Sequence, residues 1–299
     1  MNRMKKALSL PLAALALLGC QTAEPEGDPS HVKVLMVGNS FSISCLAYLP
    51  QVAADCGKRL DLGSLYIGGC SLERHMENVR SGEAAYDYFV NNENIGRASV
   101  RTALMDEKWD YVTVQQASHF SGKPETYFPF IEELADYARA LAPSAEIVVN
   151  ETWAYEFDST HPAFENYGRN RFQMHACLSE AYRKGTKAIG ARMIPVGEAV
   201  RIARENAAFD PERGGVPLTR DGFHLSLYAG RLLAGLTWYE FFTGRDAREN
   251  RFVPALYEYT GKNPATGERT FVPVSSTMPT QEQLAIIRGA AHAAVTENC

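Results

Sequence analysis

The sequence contains no internal repeat, no low-complexity tract and, beyond about residue 30, no linker rich in proline, glycine or serine. It also lacks a Walker phosphate-binding loop, a Gly-x-Gly-x-x-Gly motif, a Cys-x-x-Cys pair and the His-x-x-x-His and His-Glu-x-x-His pairs of many zinc sites. These absences argue against a repeat protein and against nucleotide and zinc sites of those kinds, so we expect no cofactor and no metal. The composition, with 45% hydrophobic and 22% charged residues in a chain of 299, is typical of one globular domain.

Positive charge is also in short supply. Lysine and arginine number 30 against 35 aspartates and glutamates, which gives a formal net charge of -5. An acidic protein repels the phosphate backbone of nucleic acid, so we expect no nucleic-acid partner.

Cysteine is sparse, with six in the whole chain. Apart from Cys20 they number five, so at least one stays unpaired within the chain: Cys45, Cys56, Cys70, Cys177 and Cys299. Spacing alone gives no disulfide connectivity, and a buried, small apolar side chain is an equally good interpretation of each.

The first residues differ in composition from the rest. Three basic residues lie within the first six, and Ala7–Gly19 is an apolar run too short to span a bilayer, so residues 1–19 are predicted to be a signal peptide. The run ends in Leu-Leu-Gly-Cys20, which resembles the bacterial lipobox. The resemblance implies an exported lipoprotein, periplasmic or at the cell surface, that is held at a membrane only through lipid on Cys20. A cleaved secretory peptide with an incidental cysteine is the alternative.

Cleavage before Cys20 would shift the formal charge from -5 to -8. Residues 20–31 contain Pro25, Gly27 and Pro29 among acidic residues and show no apolar periodicity, which predicts a solvated linker. The remainder, 32–299, is predicted to be one domain.

Within that domain, short apolar runs alternate with segments of helical spacing. The predicted strands are Val32–Gly38, Leu60–Ile67, Tyr111–Gln115, Ala145–Asn150 and Ala191–Ile194. The predicted helices are 41–56, 71–89, 100–107, 125–141, 164–184, 196–206, 225–242 and 281–296. This alternation predicts an α/β fold, a three-layer α/β/α sandwich with a flavodoxin-like parallel sheet of about five strands. A short hairpin is predicted within 251–277, with Thr266-Gly267 at its turn.

Ser40 lies where the first predicted strand turns into the first predicted helix, in Gly-Asn-Ser-Phe-Ser. A serine there places its hydroxyl at the carboxyl edge of the sheet, beside helix N–H groups that can stabilise an oxyanion. That position suits a nucleophile. The same position also suits a serine that only caps the helix.

A serine nucleophile needs a base, and the base needs a group to orient it. Asp221-Gly-Phe-His224 supplies both, because a separation of three residues on a turn can bring the carboxylate against one imidazole nitrogen. The alternative is an aspartate that caps the following helix, next to a surface histidine.

Together these segments resemble the SGNH (GDSL-like) hydrolase superfamily. Gly38-Asn39-Ser40-Phe41 is similar to its Gly-Asp-Ser-Leu block, and Asp221 to His224 is similar to its last block. The resemblance implies Ser40, His224 and Asp221 as a catalytic triad and Gly69, in Ile-Gly-Gly-Cys-Ser, as an oxyanion donor through its backbone N–H.

The sequence departs from that family after the third predicted strand. A Gly-x-Asn-Asp block is expected there, and Val-Gln115-Gln116-Ala-Ser stands in its place. One of these two side-chain amides is predicted to supply the missing oxyanion donor, and Gln115 is favoured. The alternative is a glutamine that hydrogen-bonds loop backbone.

Four further residues near the ends of the third and fourth strands are candidates for substrate binding, because aromatic and polar groups together suit a sugar or acyl pocket: Trp153, Tyr155, His161 and His119. Packing in the core or in a loop is an equally good interpretation of Trp153 and Tyr155.

The sequence therefore predicts a serine esterase, with removal of O-acetyl groups from a carbohydrate as the activity that the resemblance suggests. The alternatives are a catalytically inactive glycan-binding lipoprotein, since the asparagine block is missing, and a phospholipase or thioesterase of the same fold. The expected partner is a small-molecule or glycan ester.

Overall fold

The computed structural model describes residues 31–255, 257–262, 269–273 and 278–298, with side chains for all of these except 257–262, 269–273 and 298. The predicted signal peptide, the lipidation site Cys20 and nearly all of the predicted linker lie outside the described residues. No helix in the described part of the chain is long and apolar enough to cross a membrane.

A seven-stranded sheet forms the centre of the fold, in the order β4-β3-β2-β1-β5-β6-β7. Its strands are β1 (His31–Gly38), β2 (Arg59–Tyr66), β3 (Tyr86–Val90), β4 (Glu93–Ala98), β5 (Tyr111–Val114), β6 (Glu146–Asn150) and β7 (Arg192–Ile194). The five strands predicted from the sequence are present, pair in parallel, and lie in the flavodoxin-like order. β1 is central, and Val34–Val37 are buried on both faces, as a parallel strand covered by helices requires.

The helices flank the sheet in two groups. They are α1 (Ser40–Leu46), α2 (Leu49–Ala54), α3 (Leu72–Ser81), α4 (Val100–Asp106), α5 (Phe130–Leu141), α6 (Arg171–Ala188), α7 (Val196–Glu205), α8 (Ala229–Thr243) and α9 (Gln281–Asn298). α3, α4 and α5 pack against one another, and α8 packs against α1, α2, α7 and α9. The predicted α/β fold with a sheet between helical layers is confirmed.

The segment 71–89 was predicted as one helix, and this prediction is wrong in its second half. α3 ends at Ser81, because Gly82 takes a left-handed conformation (φ 69°) and caps it. β3 follows and pairs with β4 across Asn91 and Asn92, which both have positive φ (49° and 69°). Two successive residues of positive φ form the hairpin turn that matches the twist of the strands. This antiparallel hairpin extends the sheet beyond β2.

The predicted helix 41–56 is divided into α1 and α2, and the helical segment from 125 begins as a short 3-10 turn before α5. Near the carboxyl end, β8 (Tyr257–Lys262) and β9 (Arg269–Pro273) pair antiparallel in a separate two-stranded sheet, as the predicted hairpin requires. Its predicted turn, Thr266-Gly267, lies outside the described residues.

Candidate active site

The turn between β1 and α1 carries Ser40. Asn39 caps α1, since its side-chain oxygen accepts a hydrogen bond from the Phe41 N–H (3.0 Å). Gly38 is required by the close approach of Ser42, whose hydroxyl would lie 1.9 Å from a Cβ at that position. The turn therefore places Ser40 at the carboxyl end of the central strand, at the start of the helix.

Ser40, His224 and Asp221 form one hydrogen-bonded chain. The Ser40 hydroxyl lies 2.9 Å from His224 Nε2. His224 Nδ1 lies 2.7 Å from a carboxylate oxygen of Asp221. With the proton assigned to Nδ1, the ring donates to the carboxylate and its free nitrogen accepts from the serine. The sequence placed these three groups 184 residues apart at most, and the fold brings them together.

The carboxylate of Asp221 also organises its own turn. Its second oxygen accepts the backbone N–H of His224 (2.7 Å) and that of Phe223 (3.3 Å). Partial burial alone would raise the pKa of Asp221, but the hydrogen bonds from the His224 ring and backbone outweigh it and lower the pKa below its ordinary value. The carboxylate therefore stays ionised and holds the imidazole in one orientation.

The loop after β6 holds this turn from outside. The Trp153 indole N–H donates to the Phe223 carbonyl (2.7 Å), and the Glu156 backbone N–H donates to the Gly222 carbonyl (2.7 Å). The Trp153 ring stacks on Phe41 with centroids 4.3 Å apart. Trp153 thus touches the neighbour of Ser40 and the neighbour of His224.

Gln115, just beyond β5, is buried beneath the serine turn. Its amide Nε2 donates to Asn39 Oδ1 (2.8 Å), and its oxygen accepts from the Ser42 hydroxyl (2.9 Å) and the Asn150 amide (2.8 Å). One amide hydrogen remains beyond the bond to Asn39. The role of Gln115 as an oxyanion donor stays a prediction. Its hydrogen bonds to Asn39, Ser42 and Asn150 also give it a structural role beneath the serine turn.

Gln116 is also buried and is oriented elsewhere. Its amide nitrogen donates to both the carbonyl and the hydroxyl of Thr126, and its oxygen accepts from the backbone N–H of Leu72. Both amide hydrogens are used, so this geometry does not offer Gln116 as a donor at Ser40.

Gly69, the other predicted oxyanion residue, lies in the turn after β2 with φ 61°. The Asn39 side chain donates to the carbonyl of the adjacent Cys70 (3.1 Å). This bond ties the Gly69 turn to the residue before Ser40. The oxyanion role of Gly69 stays a prediction.

Residues 33–265 match the family described as a domain of unknown function, DUF4886. This chain belongs to the DUF4886 family. No protein with a curated description matches it.

Among solved structures, a DUF4886 family protein from Bacteroides uniformis is 32% identical, with a TM-score of 0.74 over 89% of this chain and 95% of that one. A candidate SGNH hydrolase from Slackia heliotrinireducens is 24% identical over 70% and 98% of the two chains, with a TM-score of 0.47. An acetylxylan esterase from Geobacillus stearothermophilus is 12% identical over 72% and 94%, with a TM-score of 0.43. The last two similarities are too low to bear on activity.

In this DUF4886 protein, Trp153 and Tyr155 are both buried, and the Tyr155 hydroxyl hydrogen-bonds Ser118 (2.9 Å). Neither ring faces solvent, which favours the packing interpretation over contact with substrate: both rings support the loop after β6 from inside the protein. The sequence left packing open as an equally good interpretation, because an aromatic residue at a strand end has the same pattern in both roles.

His161 and His119 are partly exposed. The His161 ring packs 5.0 Å from the Phe223 ring, while His119 Cε1 lies 3.9 Å from the position of a Cβ on Gly69. Burial and then a neighbouring imidazole lower the pKa of each, with His224 acting on His161 and His161 on His119. The two rings stay candidates for substrate contact.

A cavity of about 480 Å³ opens beside Ser40. Besides Ser40, its lining is mostly apolar and aromatic, with two arginines, a serine and an asparagine: Ile43, Leu46, Ala47, Leu62, Ser64, Tyr66, Phe89, Asn92, Arg220 and Arg231. The sequence analysis missed both arginines, although Arg220 directly precedes Asp221 and Arg231 lies in the first turn of α8.

Metal-ligand groups come together in the described part of the DUF4886 chain at Glu240, Asp246 and His292. His292 Nδ1 is already hydrogen-bonded to Glu240 (2.8 Å), and Asp246 is paired with Arg248. These contacts account for the cluster as hydrogen bonds and an ion pair among neighbouring side chains.

Proposed function

We propose that this protein is a carboxylic ester hydrolase in which Ser40 is the nucleophile. The observation that carries the proposal is the continuous chain from the Ser40 hydroxyl through His224 to Asp221, with separations of 2.9 and 2.7 Å. Each of these distances is a normal hydrogen bond, and the order of groups is that of a serine triad.

In the proposed reaction, His224 Nε2 takes the proton as Ser40 Oγ attacks the ester carbonyl. The backbone N–H groups of Ser40 and Gly69, with the spare amide hydrogen of Gln115, stabilise the resulting oxyanion. The tetrahedral intermediate collapses, and the alcohol leaves with the proton from His224. A water molecule activated by His224 then releases the acid and frees Ser40.

We propose O-acetyl groups on a carbohydrate as the substrate class. The cavity beside Ser40, about 480 Å³, is within the size range of small-molecule sites and suits a sugar-sized group next to a small acyl group. A phospholipase or thioesterase of the same fold would instead hydrolyse long acyl esters faster than acetate.

The test is hydrolysis of 4-nitrophenyl esters of two to sixteen carbons and of acetylated sugars by the purified protein, with covalent labelling by a fluorophosphonate. We expect turnover of acetate and labelling of wild type, and loss of both in Ser40→Ala. Ser81→Ala, an exposed serine, is the matched control and keeps both. Labelling without ester turnover, or turnover that survives Ser40→Ala, contradicts the proposal; no labelling and no turnover favours the inactive glycan-binding alternative.

A further inference from the structure

The charged groups that line the cavity beside Ser40 are both arginines, Arg220 and Arg231, and no aspartate or glutamate is among its described lining residues. The chain as a whole is acidic, with a formal charge of -5. A cavity at the reactive serine that carries only positive charge is therefore not a consequence of composition.

Arg231 lacks a counter-ion in the described part of the chain. Its Nε is buried and has no hydrogen-bond partner there. Burial, followed by the positive charge of Arg220, lowers its pKa. Two like charges close to each other, with one of them partly desolvated, are unfavourable unless an anion lies between them.

In the described structure, the Arg220 guanidinium makes one hydrogen bond and one long ion pair. One guanidinium nitrogen donates to the Leu225 carbonyl (3.2 Å). Its nearest carboxylate is that of Asp221, at 3.9 Å, which is longer than a hydrogen bond and is already bound by His224.

Ser64, on β2, adds a hydroxyl group to the same cavity. The residue is 98% buried, and its hydroxyl has no hydrogen-bond partner in the described structure. Buried hydroxyls are nearly always paired, so an unpaired one in a cavity wall indicates a group that the bound ligand supplies.

We propose that the alcohol portion of the ester substrate carries a carboxylate, which binds between Arg220 and Arg231 while the acyl carbonyl lies at Ser40. This assignment rests on the proposed esterase function and narrows it to acetyl esters of sugar acids. A planar carboxylate matches the fork of a guanidinium, and the Ser64 hydroxyl and the apolar walls provide a place for the sugar ring. The net charge of -5 disfavours a long polyanionic chain more strongly than a single acidic group.

The experiment compares two acetyl esters with the acetyl group on the same hydroxyl, one of methyl glucuronoside and one of methyl glucoside. A charged hydrogen bond contributes enough for a preference of about 10- to 100-fold in kcat/KM for the acidic ester in wild type. Arg231→Gln is expected to lower this preference at least about tenfold, and Arg231→Lys to retain part of it. Arg101→Gln, a surface arginine that does not line the cavity, is the matched control and keeps the wild-type preference.

Competition gives a second readout that does not depend on the acetylated pair. Free methyl glucuronoside is expected to inhibit hydrolysis of 4-nitrophenyl acetate more strongly than methyl glucoside, and Arg231→Gln to remove the difference. Equal inhibition in wild type, with no acidic preference, overturns the carboxylate site while leaving the esterase in place. Stronger inhibition by glucose 6-phosphate than by the glucuronoside overturns the choice of carboxylate.

If the protein hydrolyses no ester at all, the proposed function fails, and the site is tested by calorimetry. Binding of methyl glucuronoside that is lost in Arg231→Gln supports the anion site independently. Absence of binding overturns it.

Discussion

Trp153 contacts the candidate active site through two neighbours, since it stacks on Phe41 and donates to the Phe223 carbonyl. Trp153→Phe keeps an aromatic ring but removes the indole N–H. Because the turn that carries His224 loses one of its supports, we expect kcat on an activated acetate ester to fall about tenfold with a smaller change in KM, since small misplacements of a catalytic group are costly.

Trp109→Phe is the control for this prediction. Its indole N–H also donates to a backbone carbonyl, that of Ala103 (2.9 Å), and its side chain is equally buried, but it lies outside the site. Both variants should lose a similar amount of stability, about 1 kcal/mol, and only Trp153→Phe should lose kcat. Equal kcat in the two variants would show that Trp153 has only a packing role.

At the scale of single residues, the sequence predicted those that belong to a local motif and missed those whose roles depend on partners distant in the chain. Ser40 at a strand end and the Asp221-to-His224 spacing are visible along the chain, so the hydrogen-bonded triad was predictable. The network of Gln115 was not, because its partner Asn150 is 35 positions away and nothing local selects it. Arg231 was missed for the same reason, since its significance comes from facing Ser40 and Arg220.

At the scale of elements, periodicity gave the parallel strands and most helices, and failed where a short edge hairpin followed a helix. The apolar residues of β3 continue the spacing of α3 closely enough to extend the predicted helix to 89. Gly82 and the Asn91-Asn92 pair were the available signals for a helix end and a hairpin turn. The spacing of apolar side chains carries no information on φ, and the positive φ values at these residues end the helix and form the hairpin turn.

The junction of β6 and α7 gives a prediction for stability. Glu151, directly after β6, is fully buried, and one of its oxygens accepts the backbone N–H of Glu198 in the first turn of α7 (3.0 Å). Burial raises the pKa of Glu151 to about 7 from 4.5. The folded protein therefore holds this proton more tightly than the unfolded chain. The protonated carboxyl group of Glu151 contributes its full stabilisation of the fold below the unfolded pKa, and this contribution is lost as pH rises towards 7.

Glu151→Gln keeps the acceptor for Glu198 and cannot ionise. Relative to wild type, its free energy of unfolding should therefore be higher at about pH 8 than at about pH 5, by up to about 3 kcal/mol, and its Tm should rise accordingly. Thermal unfolding at the two pH values measures this, with Glu132→Gln, an exposed glutamate on α5, as the control that shows no such change. A constant difference between variant and wild type would mean that Glu151 ionises normally.

For the whole molecule, the order of the sheet explains where the site lies. β1 has β2 on one side and β5 on the other, so the chain leaves it at the point where the strand order reverses. Connections there diverge to opposite faces and open a crevice at the carboxyl ends of the strands. Ser40, the Gly69 turn and Gln115 follow the three strands that meet at this point, which is why residues from three separate segments lie at one edge of the sheet.

The proposed lipid anchor also concerns the whole molecule, because it would determine whether the domain is attached to a membrane and would not affect its fold. If Cys20 is diacylated, wild type expressed in a bacterial host should incorporate labelled fatty acid and partition into detergent, since two acyl chains give stable membrane attachment where one does not. Cys20→Ala should lose both properties and keep fluorophosphonate labelling of Ser40, because every contact described at the site lies within residues 31–298. Cys177→Ala, which removes a half-buried free thiol from α6, is the matched control and should partition like wild type. Uptake of fatty acid by Cys20→Ala would place the lipid elsewhere, and absence of uptake by wild type would favour a cleaved secretory peptide and a protein released from the membrane.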